Sequence, residues 1–225
     1  MLQDIIILAL IIILFFISIK IEVLDFFGSL LALVIGIFIY FWAGLPYLIL
    51  LISFVLISYL ATIYRTEYKA DIYGLTKKRH IGSVISKGLV PFLLVFLPIP
   101  QIDKLFLYSV AVASATSDTI SGELGIFSSK TYSILGLKPS RPGENGAISS
   151  IGEIYAFFGA SSIAIIFYFF TLNVKYTIYI CFLGFIGSNL DSLLGATLEK
   201  KGILGKHTVN FIAIIISIIF AYLLI

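Results

Sequence analysis

The sequence predicts an all-α fold, a polytopic bundle of about eight transmembrane helices making an integral membrane protein. Three observations predict it. The 225 residues are 60% hydrophobic and 12% charged, whereas a soluble domain is about half apolar and a quarter charged. The mean hydropathy is +1.12. Eight apolar runs have the length a helix needs to cross the hydrocarbon core, about 20 residues, and a helix satisfies its own backbone amides where no water can.

In order, the runs are 4–19, 25–41, 45–63, 82–97, 103–124, 148–172, 175–198 and 208–225. The first begins with acidic Asp4 rather than a basic leader and meets no small-residue cleavage site, so no cleaved signal peptide is expected. Between the second and third runs, Ala43, Gly44, Leu45 and Pro46 make a tight turn, since glycine tolerates unusual backbone angles and proline favours a helix start. Leu97 to Pro100 separate the fourth and fifth runs in the same way. No polar stretch is long enough for a separate soluble unit, so residues 1–225 read as one transmembrane domain. Cys181, the single cysteine, lies in an apolar run and reads as core filler.

Orientation follows from the loops. With the N-terminus outside, 13 of the 15 basic residues fall on one side, and only Lys104 and Lys175 on the other. Basic loops stay in the cytoplasm, which makes both termini extracytoplasmic. The net charge of +3 then reports topology and argues against nucleic acid as a partner, leaving membrane lipid. Tyr40, Phe41, Trp42 and Tyr47 crowd the outer boundary, where amphipathic rings anchor a helix. Three segments face the cytoplasm: 64–81, with Lys77, Lys78, Arg79 and an interfacial His80; 125–147, the longest irregular stretch; and 199–207, with Lys200, Lys201 and Lys206 suited to lipid headgroups.

The fifth run ends SATSDTISGELG, 114–125, which puts Asp118 and Glu123 at membrane depth among Ser114, Thr116, Ser117, Thr119, Ser121 and Gly122. The seventh contains GSNLDSLLGATLE, 187–199, with Asp191 at similar depth beside Ser188 and Asn189. Charges there cost several kcal/mol, so they pair, line a watery cavity or bind ions. Pairing with lysines is one reading. The other is Mg²⁺, a hard ion that takes carboxylate oxygens and shares them with phosphates. Both runs travel inward, so Asp118 and Asp191 approach one face. Glu123, five residues after Asp118, points about 140° away at 100° per residue, and could join as a third ligand only if the helix breaks at Gly122.

The 125–147 segment leads into KPSRPGENGAISS, 138–150. Gly143, Glu144, Asn145 and Gly146 form a glycine-rich turn feeding a helix N-terminus, where free amides and the helix dipole can cradle phosphate, with the cations Lys138 and Arg141 beside it. Taken alone, such a loop is also an ordinary surface turn. Glu153 suits either the helix dipole or the site, and Asn210, inside the last apolar run, must find a partner in the bundle. His80 and His207 have no metal-ligand spacing between them.

SATSDTISGELG, RPGENGAISSIG, GFIGSNLDSLLGATLE and HTVNF, in that order, resemble the small polytopic membrane proteins that include the plant phytyl-phosphate kinase and the animal transmembrane-protein-19 group. KIEVLDFFGSLLALVIG and LISYLATIYRTEYK extend the resemblance over nearly the whole chain. One stretch departs from it: Ser83 to Gly88 reads Ser-Val-Ile-Ser-Lys-Gly where relatives carry amides leading to Asn-Gly, with Lys87 as a substitute. A more distant similarity is to dolichol kinases.

The resemblance implies transfer of a phosphoryl group from a nucleoside triphosphate, CTP or ATP, to an isoprenoid lipid monophosphate such as phytyl phosphate. Asp118 and Asp191 would hold Mg²⁺, with Gly143 to Gly146 on the phosphates and Lys138 and Arg141 neutralising charge. The residues leave open nucleotidyl transfer to the same lipid class, a cation-coupled transporter, and assembly into a homo-oligomer.

Overall fold

We describe residues 2–73 and 79–225 of a computed structural model, with 70–73 as backbone only. Lys77 and Lys78 of the expected basic cluster lie outside the described residues.

The helices are α1 (Leu2–Lys20), α2 (Phe26–Ala43), α3 (Leu45–Ile63), α4 (Thr66–Tyr73), α5 (Ile81–Leu94), α6 (Gln101–Gly125), α7 (Ser150–Thr171), α8 (Val174–Leu194) and α9 (Lys206–Tyr222), with a π-helical turn, Gly195–Glu199, continuing α8. The all-α expectation holds, relieved by one antiparallel pair of two-residue strands, β1 (Tyr132–Ser133) and β2 (Ala147–Ile148). Among the described residues, α1, α2, α3, α7 and the α8–π unit are long and apolar enough to cross a membrane. Helices α5 and α9 are apolar but shorter, at 14 and 17 residues. The expected 82–97 run stops at Leu94, after Pro91 has removed one backbone donor from the helix. Within 64–81, α4 carries a buried Lys69.

Helix α6 is the axis. From Leu105 to Ser117 every residue is buried, against α7 and α8 on one side and α3, α5 and α9 on the other. Its serines and threonines lower its hydropathy because the rest of the bundle, not lipid, is its surroundings. Lipid tails are as apolar as leucine, so helices associate here by close packing of small residues. Gly187 of α8 shows how close: a Cβ there would lie 2.3 Å from the Ser114 Oγ.

Local caps set where helices begin. Asp25, Ser149 and Asn173 each accept a backbone N–H from the first turn of α2, α7 and α8. At the end away from the lysine-rich loops, tyrosines tie neighbouring helices to acids: Tyr40 donates to Asp4 at 2.8 Å and Tyr176 to Asp103 at 2.6 Å. At the opposite, basic end, α2, α5, α7 and α9 start where α1, α3, α6 and α8 finish. This antiparallel order gathers the charged residues into one layer.

Candidate functional site

Asp118 sits seven residues from the end of α6 and Asp191 three from the end of α8. The two carboxylates lie within hydrogen-bonding reach of one another. The Lys87 Nζ of α5 donates to the Asp118 Oδ2 at 2.5 Å and to the Thr119 Oγ1 at 2.7 Å. A lysine alone in an apolar run must find an acid, because an unpaired buried ammonium is too costly. Asn210 of α9, with its amide oriented to satisfy both neighbours, donates to the Asp191 Oδ1 at 2.7 Å and to the Lys206 carbonyl at 3.3 Å. Lys206, opening α9, acts on both aspartates from farther away.

Beside these groups lies a cavity of about 10 Å³, the space one ion or one water needs. Lys87, Ser114, Asp118, Gly187, Asp191 and Asn210 line it. The Ser114 Oγ is buried and has no hydrogen-bond partner among the described residues. Other hydroxyls in these helices, such as those of Ser109, Thr116 and Ser217, bond the carbonyl one turn back, so Ser114 holds a lone pair and a proton in reserve beside two carboxylates. Among the described residues no group of three or more His, Cys, Asp or Glu side chains could hold a metal ion. What converges instead is two carboxylates and one hydroxyl, a donor set that suits a hard cation taking its other ligands from water and phosphate.

Glu123, expected as a third ligand, belongs elsewhere. Its Oε2 accepts from the Lys69 Nζ at 2.8 Å, and its Oε1 from the Arg79 Nη2 at 2.9 Å and the Thr62 Oγ1 at 3.1 Å. Helix α6 continues through Gly122 without a break, so the angular offset stands and Glu123 turns toward α3 and α4. Other expected site residues divide similarly. Thr119 faces Lys87, whereas the Ser117 Oγ donates to the Ala156 carbonyl of α7. Ser121 approaches Gly152 of α7, and Ser188 is buried. The Asn189 Nδ2 donates to the Glu153 Oε2 at 3.0 Å, joining α8 to α7.

The loop carrying the expected phosphate cradle docks on the π turn that follows Asp191. Gly146, at φ +76°, lies so near that a Cβ would meet the Ala196 Cβ at 2.3 Å. Asn145 lies beside Glu199, and Glu144 accepts from the Lys200 Nζ at 2.6 Å and the Ser140 Oγ at 2.6 Å. The Lys200 ammonium, then the Ser140 hydroxyl and the Arg141 amide, hold the Glu144 carboxyl down at about 2. Gly143 is open, with room for a Cβ that would meet nothing within 4 Å, and Lys138 and Arg141 are exposed and make no ion pair among the described residues.

A second cavity, about 320 Å³, lies between α1, α2, α3 and α5. Its wall is mostly apolar, with polar residues that include Ser58 and Thr62 and, at the basic end, the charged Arg79 and Lys87. Lys87 thus borders both cavities.

Comparison with known proteins finds one family and related chains. The family described as integral membrane protein DUF92 matches residues 9–218. An uncharacterised membrane protein of Methanocaldococcus jannaschii is 34% identical over 200 residues, 88% of this chain and 84% of the relative. Another from Synechocystis is 30% identical over 184 residues, 76% of this chain and 70% of the relative. No solved structure matches.

Proposed function

The chain belongs to the DUF92 family of integral membrane proteins, and from that premise we propose that it is a membrane-embedded phosphotransferase. It moves a phosphoryl group from a nucleoside triphosphate, CTP or ATP, to an isoprenoid monophosphate such as phytyl phosphate, on the basic and cytoplasmic side of the membrane. One observation carries this reading: Lys87 borders both cavities, so a lipid in the apolar one presents its head group where the aspartates converge.

In the step itself, an acceptor phosphate oxygen forms a bond to the γ-phosphorus while the bond to the β–γ bridging oxygen breaks. The products are a lipid diphosphate and a nucleoside diphosphate. The acceptor is already an anion, so no base is needed, and catalysis is positioning and charge neutralisation. Asp118 aims the Lys87 ammonium at the meeting point of the cavities. Asn210 fixes Asp191. The turn at Gly143 to Gly146 offers its amides to the nucleotide, and Lys138 and Arg141, free of ion pairs among the described residues, neutralise its phosphates. Asp118, Asp191 and the Ser114 hydroxyl would hold Mg²⁺, which when bound lowers the charge on the transferring phosphates.

Purified protein given Mg²⁺, labelled CTP or ATP and isoprenyl monophosphates should form the lipid diphosphate, and Asp118→Asn or Asp191→Asn should each abolish it. A nucleotide-linked lipid as product would replace the kinase with a nucleotidyltransferase. The ion-sized cavity at Ser114 favours one further rival, a cation-coupled transporter; cation uptake into liposomes without nucleotide, and no lipid product, would decide for it.

A further inference from the structure

The large cavity has a shape and a polarity that the proposed phosphoryl transfer does not by itself specify. Helix α1 packs chiefly on α2, and α3 packs on α2 and α6, so α1 and α3 stand as the two sides of a slot floored by α2 and α5. Leu14 and Ile17 on one side and Val55 and Leu56 on the other are exposed along its rim, so the slot opens sideways to the bilayer. Its volume, about 320 Å³, lies at the small end of the roughly 300–1,000 Å³ of ligand pockets, which suits one hydrocarbon chain rather than two.

Charge sets which way round that chain lies. Among the described residues that line the slot, Arg79 and Lys87 are the charged ones, and no acid joins them. Both stand at the basic end. Each turns its other side to an acid outside the wall, Arg79 to Glu123 and Lys87 to Asp118, and so holds a fixed position without its charge being cancelled from within the slot. A second feature is independent of these ion pairs. Ser58 of α3, one turn before Thr62, is 4% exposed and lines the slot, and its Oγ has no hydrogen-bond partner among the described residues. Ser53, Ser161 and Ser162 bond the carbonyl one turn back, whereas the Ser58 hydroxyl bonds no described group.

We propose that the slot between α1 and α3 is the acceptor site, taking a single-chain lipid monophosphate laterally from the bilayer with its phosphate against Arg79 and Lys87. The proposal rests on the phosphotransferase reading and divides its labour: Arg79, Lys87 and Ser58 belong to the lipid, and the loop with Lys138, Arg141 and Gly143 to Gly146 belongs to the nucleotide. Arg79 is therefore a binding residue for the acceptor as well as a partner of Glu123.

Gly36 of α2 provides the test. A Cβ there meets only Ile11 and Leu48 at 3.7 and 3.8 Å, ordinary contact, so a larger side chain grows into the slot without a clash at its base. The full chain in nanodiscs would be photolabelled with farnesyl monophosphate bearing a diazirine at its tail, and the labelled peptides mapped. Labelling should fall on α1, α2 and α3 residues of the slot. Unlabelled farnesyl monophosphate should compete at least tenfold better than farnesol, two-chain phosphatidic acid or inorganic phosphate. Gly36→Leu should cut labelling about tenfold, with Gly36→Ala between, and Arg79→Gln should remove the preference over farnesol. Label spread over the lipid-facing surface, or equal competition by phosphatidic acid, would overturn the proposal. So would Gly36→Leu protein that turns over farnesyl monophosphate with an unchanged KM, and in that case the phosphotransferase reading survives. Slot labelling with the expected competition but no lipid diphosphate from any nucleotide keeps the acceptor site and removes the transfer.

Discussion

Two acidic sites meet on α6 within two turns of each other, one of them joined by Asp191 of α8, and they are neutralised to different degrees. At Glu123, one carboxylate meets two cations, Lys69 and Arg79, with the Thr62 hydroxyl completing the shell. At Asp118 and Asp191, one lysine meets Asp118 directly while Asp191 has the neutral Asn210 amide, and a buried serine hydroxyl beside them has no hydrogen-bond partner among the described residues. The first arrangement fastens α4 and the start of α5 to the bundle. The second leaves bonding capacity unused beside a small cavity. Local rules of polar satisfaction are broken mainly where function requires it, and the difference fits the proposed role of Asp118 and Asp191 as the working pair, with Glu123 as a fastening.

Exchange of acid for amide should separate the clusters. Asp191→Asn removes a carboxylate whose nearest charged neighbour is another carboxylate. Transfer activity should fall by at least about 100-fold, the scale of losing one electrostatic group at a reacting centre. Thermal stability in detergent should stay level or rise, since the repulsion goes with the charge. A fall in melting temperature together with retained activity would reverse the roles assigned here.

Glu123→Gln should do the opposite. Removing one partner strands buried Lys69, and the loss should be about 2–3 kcal/mol, short of the roughly 3–5 kcal/mol of a fully buried pair because the Glu123 side chain is 21% exposed. Melting temperature should drop, while turnover per folded molecule is kept to within a few-fold. The residual effect should appear in the lipid KM, because Arg79 loses its support.

Gly146→Ala tests the loop against the helices. The new methyl group meets Ala196 at 2.3 Å in a backbone conformation, φ +76°, that side chains rarely adopt. Strain of about 1–3 kcal/mol should lift the loop from the π turn and raise the nucleotide KM about tenfold, with binding of the lipid probe unchanged. An equal rise in both KM values would mean that the loop serves both substrates.

The contrast between the two clusters was partly legible beforehand. Two aspartates at matching depth on parallel runs predicted a meeting, and the five-residue spacing predicted that Glu123 would point away. Its partners were hidden: Lys69 and Arg79 come from a polar segment with no period to read, and a lysine at a loop predicts topology more than contacts. Lys87 stood out in its apolar run, yet nothing in the linear order says that α5 lies against α6 at Asp118. The 14-residue length of α5 was also concealed, because Val95, Phe96 and Leu97 extend the apolar run past the end of the helix. Composition reports what must be buried, whereas pairing depends on which helices become neighbours.

The smallest effect concerns the outermost acid. The Glu144 carboxyl, held down at about 2 by Lys200, Ser140 and the Arg141 amide, has its folded-state pKa below the ordinary glutamate value. Its contact with Lys200 is therefore fully present above pH of about 4.5 and is lost as pH falls toward 2. The pair is exposed, and such pairs contribute little to global stability and weaken with salt. The response should be local: the Ala147 amide, which donates to the Glu144 carbonyl, should lose hydrogen-exchange protection over that pH window while the helices keep theirs. Glu144→Gln should lower this protection at neutral pH and flatten its pH dependence. An unaltered profile in the variant would assign the docking of the loop to the Gly146–Ala196 contact alone.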